Sequence, residues 1–123
     1  MKLKSVALIL GFVAAAALAA EQPSITGKWQ VHTSIAGNEN DHTCSLTQKG
    51  TELTGTCTTG QSGTVNLTGK VDGKKVTWSY KSDYNGTPIT VNYDGTWEAG
   101  KMSGTVSVPE FSVDGQFTGI PAK

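Results

Sequence analysis

Histidine is the side chain best suited to moving a proton near neutral pH, and the chain carries two, His32 and His42. His42 follows Asp41 and lies close after Glu39, so these three are the one local group of metal-type donors. A metal site needs three or four converging ligands. A solvated loop has the same composition, and no metal or other cofactor is expected here. Strand parity puts His32 on an outer face and leaves His42 as the only candidate base for a hydrolase. Two carboxylates facing one cleft would suggest a glycosidase, but parity turns Asp94 outward and Asp83 falls in a loop. The chain contains no Gly-x-Ser-x-Gly, His-Glu-x-x-His or phosphate-loop motif. The expectation is a protein without catalytic residues, not an enzyme.

The aromatic residues make a stronger constellation. Trp78, Tyr80 and Tyr93 share one face of adjacent segments, with Val91 between them and Phe111 beyond. Such a group is either a packed aromatic core or the wall of a cavity. Tyrosine favours the wall, because a buried hydroxyl needs a hydrogen-bond partner. Trp78, Tyr80, Tyr93, Val91 and Phe111 are therefore the candidate ligand contacts. Cys44 and Cys57 could be redox or metal residues, but they lack CxxC spacing.

The elements that must position these residues are strands. From Val76 to Val108 apolar and polar residues alternate, through Trp78, Tyr80, Ile89, Val91, Tyr93, Met102 and Val106, and period two marks a strand with one buried face. A first strand opens near Thr26, with Trp29 and Val31 inward, and a polar loop over residues 35–40 follows. Strands over 41–48 and 53–59 pair so that Gln48 meets Leu53, Leu46 meets Gly55, and Cys44 meets Cys57. A directly opposed pair has its Cβ atoms about 4.5–5.5 Å apart, within adjustment of a disulfide. A Cys44–Cys57 disulfide is expected.

The next strand, 63–71, returns through Asp72-Gly73, which as a two-residue turn sets Gly69 against Val76, Leu67 against Trp78 and Val65 against Tyr80. Asn85-Gly86 sets Tyr80 against Val91 and Trp78 against Tyr93. Ala99-Gly100 sets Tyr93 against Val106, Gly95 against Gly104 and Trp97 against Met102. A last strand over 112–118 offers Val113, Gly115 and Phe117.

The fold class read from this is all-β: an eight-stranded antiparallel up-and-down meander closing into a small barrel, with one cross-strand disulfide. A two-sheet sandwich would show the same alternation. Gly27, Gly55, Gly69, Gly95, Gly104 and Gly115 take inward positions, as close approach of backbones requires. The turns at 49–52, 72–73 and 98–101 share one tight end. Loops 35–40, 60–62, 82–88 and 109–110 share the other, where any ligand mouth should lie. Trp29, Trp78, Tyr80, Tyr93, Phe111 and Phe117 are read as bulky inward residues that leave the interior mostly filled.

Residues 1–19 read as a secretory signal: Lys2 and Lys4, an apolar run, then Ala17-Leu18-Ala19, with cleavage after Ala19 or alternatively Ala20. Residues 20–123 then form a single domain, exported to the periplasm or the exterior, with no membrane span. The exported part carries eight lysines against ten acids, about −2, and the chain contains no arginine. That balance disfavours nucleic acid as a partner.

Gly27-Lys28-Trp29 resembles the Gly-x-Trp opening of lipocalins and avidins. The segment 24–29, then Leu53-Thr54-Gly55-Thr56, then Val76-Thr77-Trp78-Ser79-Tyr80, are similar to the first, third and fifth strands of avidins. The resemblance implies a small-ligand barrel of calycin type. Biotin is not the implied ligand: Val31 stands where avidins have Asn, and no covering tryptophan follows Trp97. Nearly the whole exported part resembles small exported bacterial barrels without assigned activity. The shared patterns are Gly27–Trp29, Cys44–Cys57, Trp78–Tyr80, Tyr84–Pro88 and Met102–Val106. Two functional expectations stand side by side. One is an exported barrel binding a small apolar ligand at its loop-bearing end. The alternative is a structural or protein-interaction module with a fully packed interior, without a cavity above roughly 300 Å³.

Overall fold

Alternation of small polar and apolar residues builds strands throughout the structure, a computed structural model that describes residues 24–59 and 63–122. The expected signal segment with its Ala19 or Ala20 cleavage point, and the connection 60–62, lie outside those residues. In chain order the strands are β1 (Gly27–Ile35), β2 (Asn38–Lys49), β3 (Glu52–Thr59), β4 (Gly63–Asp72), β5 (Lys75–Tyr84), β6 (Thr87–Glu98), β7 (Lys101–Val108) and β8 (Val113–Pro121). A single 3₁₀ turn, Pro109–Phe111, precedes β8. Each strand pairs antiparallel with the next, and β8 returns to β1, so the sheet closes into a barrel rather than splitting into a sandwich. Closure removes the unpaired edges that an open meander would expose.

The expected register holds at β2–β3, β5–β6 and β6–β7, including Cys44 opposite Cys57, Trp78 opposite Tyr93, and Gly95 opposite Gly104. It fails at β4–β5. There Leu67 meets Tyr80, Gly69 meets Trp78 and Val71 meets Val76. The turn residues are Gly73-Lys74, not Asp72-Gly73, and only Gly73 has positive φ (61°). Glycine first and an ordinary residue second is the II′ pattern, one residue further along the chain than the expected turn. The slip is two residues, so every side chain keeps its face. Two expected loops also contract. Ala36-Gly37 alone joins β1 to β2, and Asn85-Gly86 alone joins β5 to β6, so residues 38–40 and Asp83 belong to strands. The last strand begins at Val113 and runs on to Pro121, because Ser112 takes a left-handed conformation that ends the 3₁₀ turn.

The lower half of the barrel is filled. Trp29, Leu46, Leu53, Val71, Val76, Trp78, Met102, Val106 and Phe117 are buried together. Ile25 plugs the tight-turn end and is fully buried. Its N–H donates to Gln48 Oε1 at 3.0 Å, and its carbonyl accepts from Trp29 Nε1 at 2.9 Å. Gly27, expected inward, is instead exposed with φ +144°, where only glycine is comfortable, as the first residue of β1 just after the plug. The other five inward glycines lie against neighbouring backbone. A Cβ on Gly69 would lie 1.9 Å from the Thr77 carbonyl oxygen, and one on Gly104 would lie 2.2 Å from that of Asp94. The Cys44–Cys57 disulfide is formed within the filled half and ties β2 to β3.

Candidate ligand cavity

The inward face of β2 changes character along its length. Near the tight end it presents Leu46 and Cys44, and toward the other end His42, Asn40 and Asn38. The same change occurs on β1, from Val31 to Thr33, on β3, where Thr59 follows Cys57, and on β5, where Ser82 follows Tyr80. These polar inward residues surround a cavity of about 470 Å³ at the end where the mouth was expected. It is chemically two-sided. Thr33, His42, Asn40 and Thr59 line it from β1 to β3, with Ile35 the apolar exception. Tyr80, Ile89, Val91, Tyr93, Val108 and Val113 line it from β5 to β8, with Ser82 the polar exception. The volume lies within the range of small-molecule sites.

Tyr93 is the deepest lining residue of β6. Its ring stacks on Trp78 at 4.7 Å and meets Phe117 edge-on at 5.1 Å. Tyr80 and Tyr93 share a hydrogen bond between hydroxyls at 3.0 Å. Two hydroxyls hold two protons, and one such bond uses one of them, so the pair keeps a donor for a third group. Burial pushes the Tyr93 hydroxyl well above the usual tyrosine value, and the Tyr80 hydroxyl up as well. Both are neutral donors, not phenolate nucleophiles. Burial also lowers the pKa of His42, against the pull of Asp41 toward the charged form, so this ring is neutral at pH 7. His42 Nδ1 is buried with no hydrogen-bond partner.

Glu39 and Asp41 do not join His42. They hold the other histidine on the outer wall: His32 Nδ1 lies 2.8 Å from Asp41 Oδ1, and Nε2 lies 2.7 Å from Glu39 Oε1. Only a doubly protonated ring donates through both nitrogens. These bonds, Asp41's first, raise the His32 pKa. Ser34 Oγ donates to the second Glu39 oxygen at 2.7 Å, and with His32 it lowers the Glu39 pKa. Alternation decides this split. Residues 39 and 41 point to one side of β2 and residue 42 to the other. Among the described residues no group of three or more such side chains could hold a metal ion.

The rim is pinned by Glu110. Its carboxylate accepts from the Thr90 N–H at 2.9 Å and from the Thr90 hydroxyl at 2.8 Å, which fastens the 3₁₀ turn to β6. These bonds, the backbone one first, lower the Glu110 pKa. Phe111 is thereby set at the mouth, 43% exposed, with its ring edge-on to Tyr84 at 5.9 Å. It was read as an inward filler. The 3₁₀ turn instead lifts it to the rim, where it still lines the cavity.

Of the sequence-predicted contacts, Tyr80, Tyr93, Val91 and Phe111 line the cavity, and Trp78 lies behind Tyr93 as its support. Thr33, Thr59, Asn40 and Ser82 were missed. For Thr33 and Thr59 the signal was present, since each is a polar residue in an expected strand at a position whose parity points inward; Asn40 and Ser82 fell in expected loops, where parity carries no information. Among the described residues no helix is long and apolar enough to cross a membrane. Compared with known proteins, the chain matches no family model and no curated protein.

Proposed function

We propose that this protein is an exported binding barrel that holds a small, largely apolar ligand in its open end and carries out no catalysis. The observation behind the reading is the two-sided cavity of about 470 Å³ closed below by the Tyr93–Trp78 stack. A module with a fully packed interior receives no support from such a hollow. The disulfide is compatible with an oxidising compartment. The Gly27-Lys28-Trp29 opening, similar to that of ligand-binding calycin barrels, agrees with it. A hydrolytic reading has one candidate base, His42, and that ring is not hydrogen-bonded to any nucleophile through Nδ1.

The test is native mass spectrometry of protein isolated gently from its own host. A discrete added mass of a few hundred daltons, released on denaturation, is the expected result. A clean unliganded mass from freshly isolated material refutes the reading.

A further inference from the structure

The chemistry of the walls goes further than size, on the premise that the cavity is a ligand site. Every described lysine is exposed, none lines the cavity, and the chain has no arginine. Among the described lining residues Glu39 is the only acid, and its two oxygens are taken by His32 and Ser34 on the outer wall. An anion or a cation would enter with no opposite charge to meet it, and a buried unpaired charge is strongly disfavoured. Hydrogen bonding, by contrast, is left open on both sides. His42 Nδ1 is buried without a partner on the β2 side, and the Tyr80–Tyr93 pair retains one donor on the β5–β6 side. A buried polar atom without a partner calls for a water or a ligand group.

We infer that the cavity selects an uncharged, two-sided molecule, with an apolar face against β5–β8 and hydrogen-bonding nitrogen or oxygen atoms that meet His42 and the Tyr80–Tyr93 hydroxyls. A hollow of about 470 Å³ takes roughly 20–25 non-hydrogen atoms at protein-like packing. This is the size of a substituted bicyclic or tricyclic aromatic compound or a short terpenoid alcohol, amide or ketone. A fatty acid is disfavoured by its charge, since its carboxylate would meet no cation among the described lining residues. His42, Tyr80 and Tyr93 act through contact with the ligand, as specificity determinants.

Three naphthalene-based fluorescent probes, all small enough for the hollow, test this on the intact disulfide-bonded protein: N-phenyl-1-naphthylamine, its 8-sulfonate, and 6-propionyl-2-(dimethylamino)naphthalene. The neutral amine and ketone should bind with enhanced emission, and the sulfonate at least about tenfold more weakly. The phenylalanine double variant Tyr80→Phe/Tyr93→Phe should weaken the ketone by about five- to tenfold, the effect of one lost hydrogen bond, and shift its bound emission to the blue. His42→Leu should weaken the amine more than the ketone. Equal binding of amine and sulfonate to the unmodified protein overturns the inference and leaves the ligand-site reading standing. Unchanged affinity and emission in both variants, with melting temperatures near that of the parent, overturns the roles of the hydroxyls and His42. Failure of all three probes to bind removes the ligand-site reading itself.

Discussion

Replacing Trp78 by alanine tests the floor on which the cavity rests. The indole is 2% exposed, stacked on Tyr93 at 4.7 Å and edge-on to Phe117 at 5.5 Å. Burying about 200 Å² of aromatic surface at about 25 cal/mol per Å² corresponds to about 5 kcal/mol, and the ring contacts add about 0.5–1.5 kcal/mol. Against this, Trp78 Nε1 is buried with no partner. Truncation also removes that orphaned donor, which offsets about 1–3 kcal/mol. The net expectation is a loss of about 3–5 kcal/mol, in line with other large aromatic deletions. A domain of this size has about 5–15 kcal/mol in total, so the melting temperature should fall by about 15–30 °C. Trp78→Phe keeps a ring on Tyr93 and also removes the orphaned donor, so its cost should be only about 1–2 kcal/mol. Thermal unfolding followed by circular dichroism, with the disulfide intact, measures both. A melt of Trp78→Ala within about 3 °C of the parent would refute the packing account. Equal losses in the two variants would show that the indole N–H, not ring packing, matters.

Reducing Cys44–Cys57, which closes a sequence separation of 13 residues, should cost about 3 kcal/mol and show as a lower melting temperature in reductant. Gly69→Ala should abolish folding, as judged by loss of the native circular dichroism signal, because a Cβ there would meet the Thr77 carbonyl oxygen and Trp78 Cα rather than a flexible side chain. Ala99 sits at φ 55° in a two-residue turn, a conformation that asparagine tolerates better than alanine; Ala99→Asn should raise stability by about 0.5–1 kcal/mol in denaturant titration. The two histidines should titrate by NMR on opposite sides of 6.5, His32 above and His42 below. The consequences for stability oppose each other. His32 contributes below its unfolded value and loses that contribution as pH rises through its raised folded value. Its partner Glu39, whose pKa is lowered, contributes above its unfolded value and loses that as pH falls through the lowered one. His42 favours the unfolded state once pH drops below 6.5, so His42→Leu should blunt the loss of stability in mild acid.

Period two, read along residues 65–108, determined by itself which side chains face inward, because a strand has only two faces. That is why a two-residue error at the Gly73 turn left Leu67, Gly69, Trp78 and Tyr80 on the correct side while changing their partners. The disulfide was legible for the same reason, since one short turn at Gly50 put Cys44 opposite Cys57. Strand ends at the mouth were not legible: where both faces of β2 are wet or line a hollow, apolar alternation stops, and residues 38–40 looked like a loop. Closure set the rest. The match of β1 to β8, with Thr33 opposite Phe117, joins the two ends of the chain with no connecting turn between them, and it follows from the tilt and stagger of all eight strands together. Only that closed geometry leaves the upper interior unfilled and gathers polar residues from β1–β3 opposite aromatic ones from β5–β6, because a cavity is a property of the space between strands and no single strand encodes it.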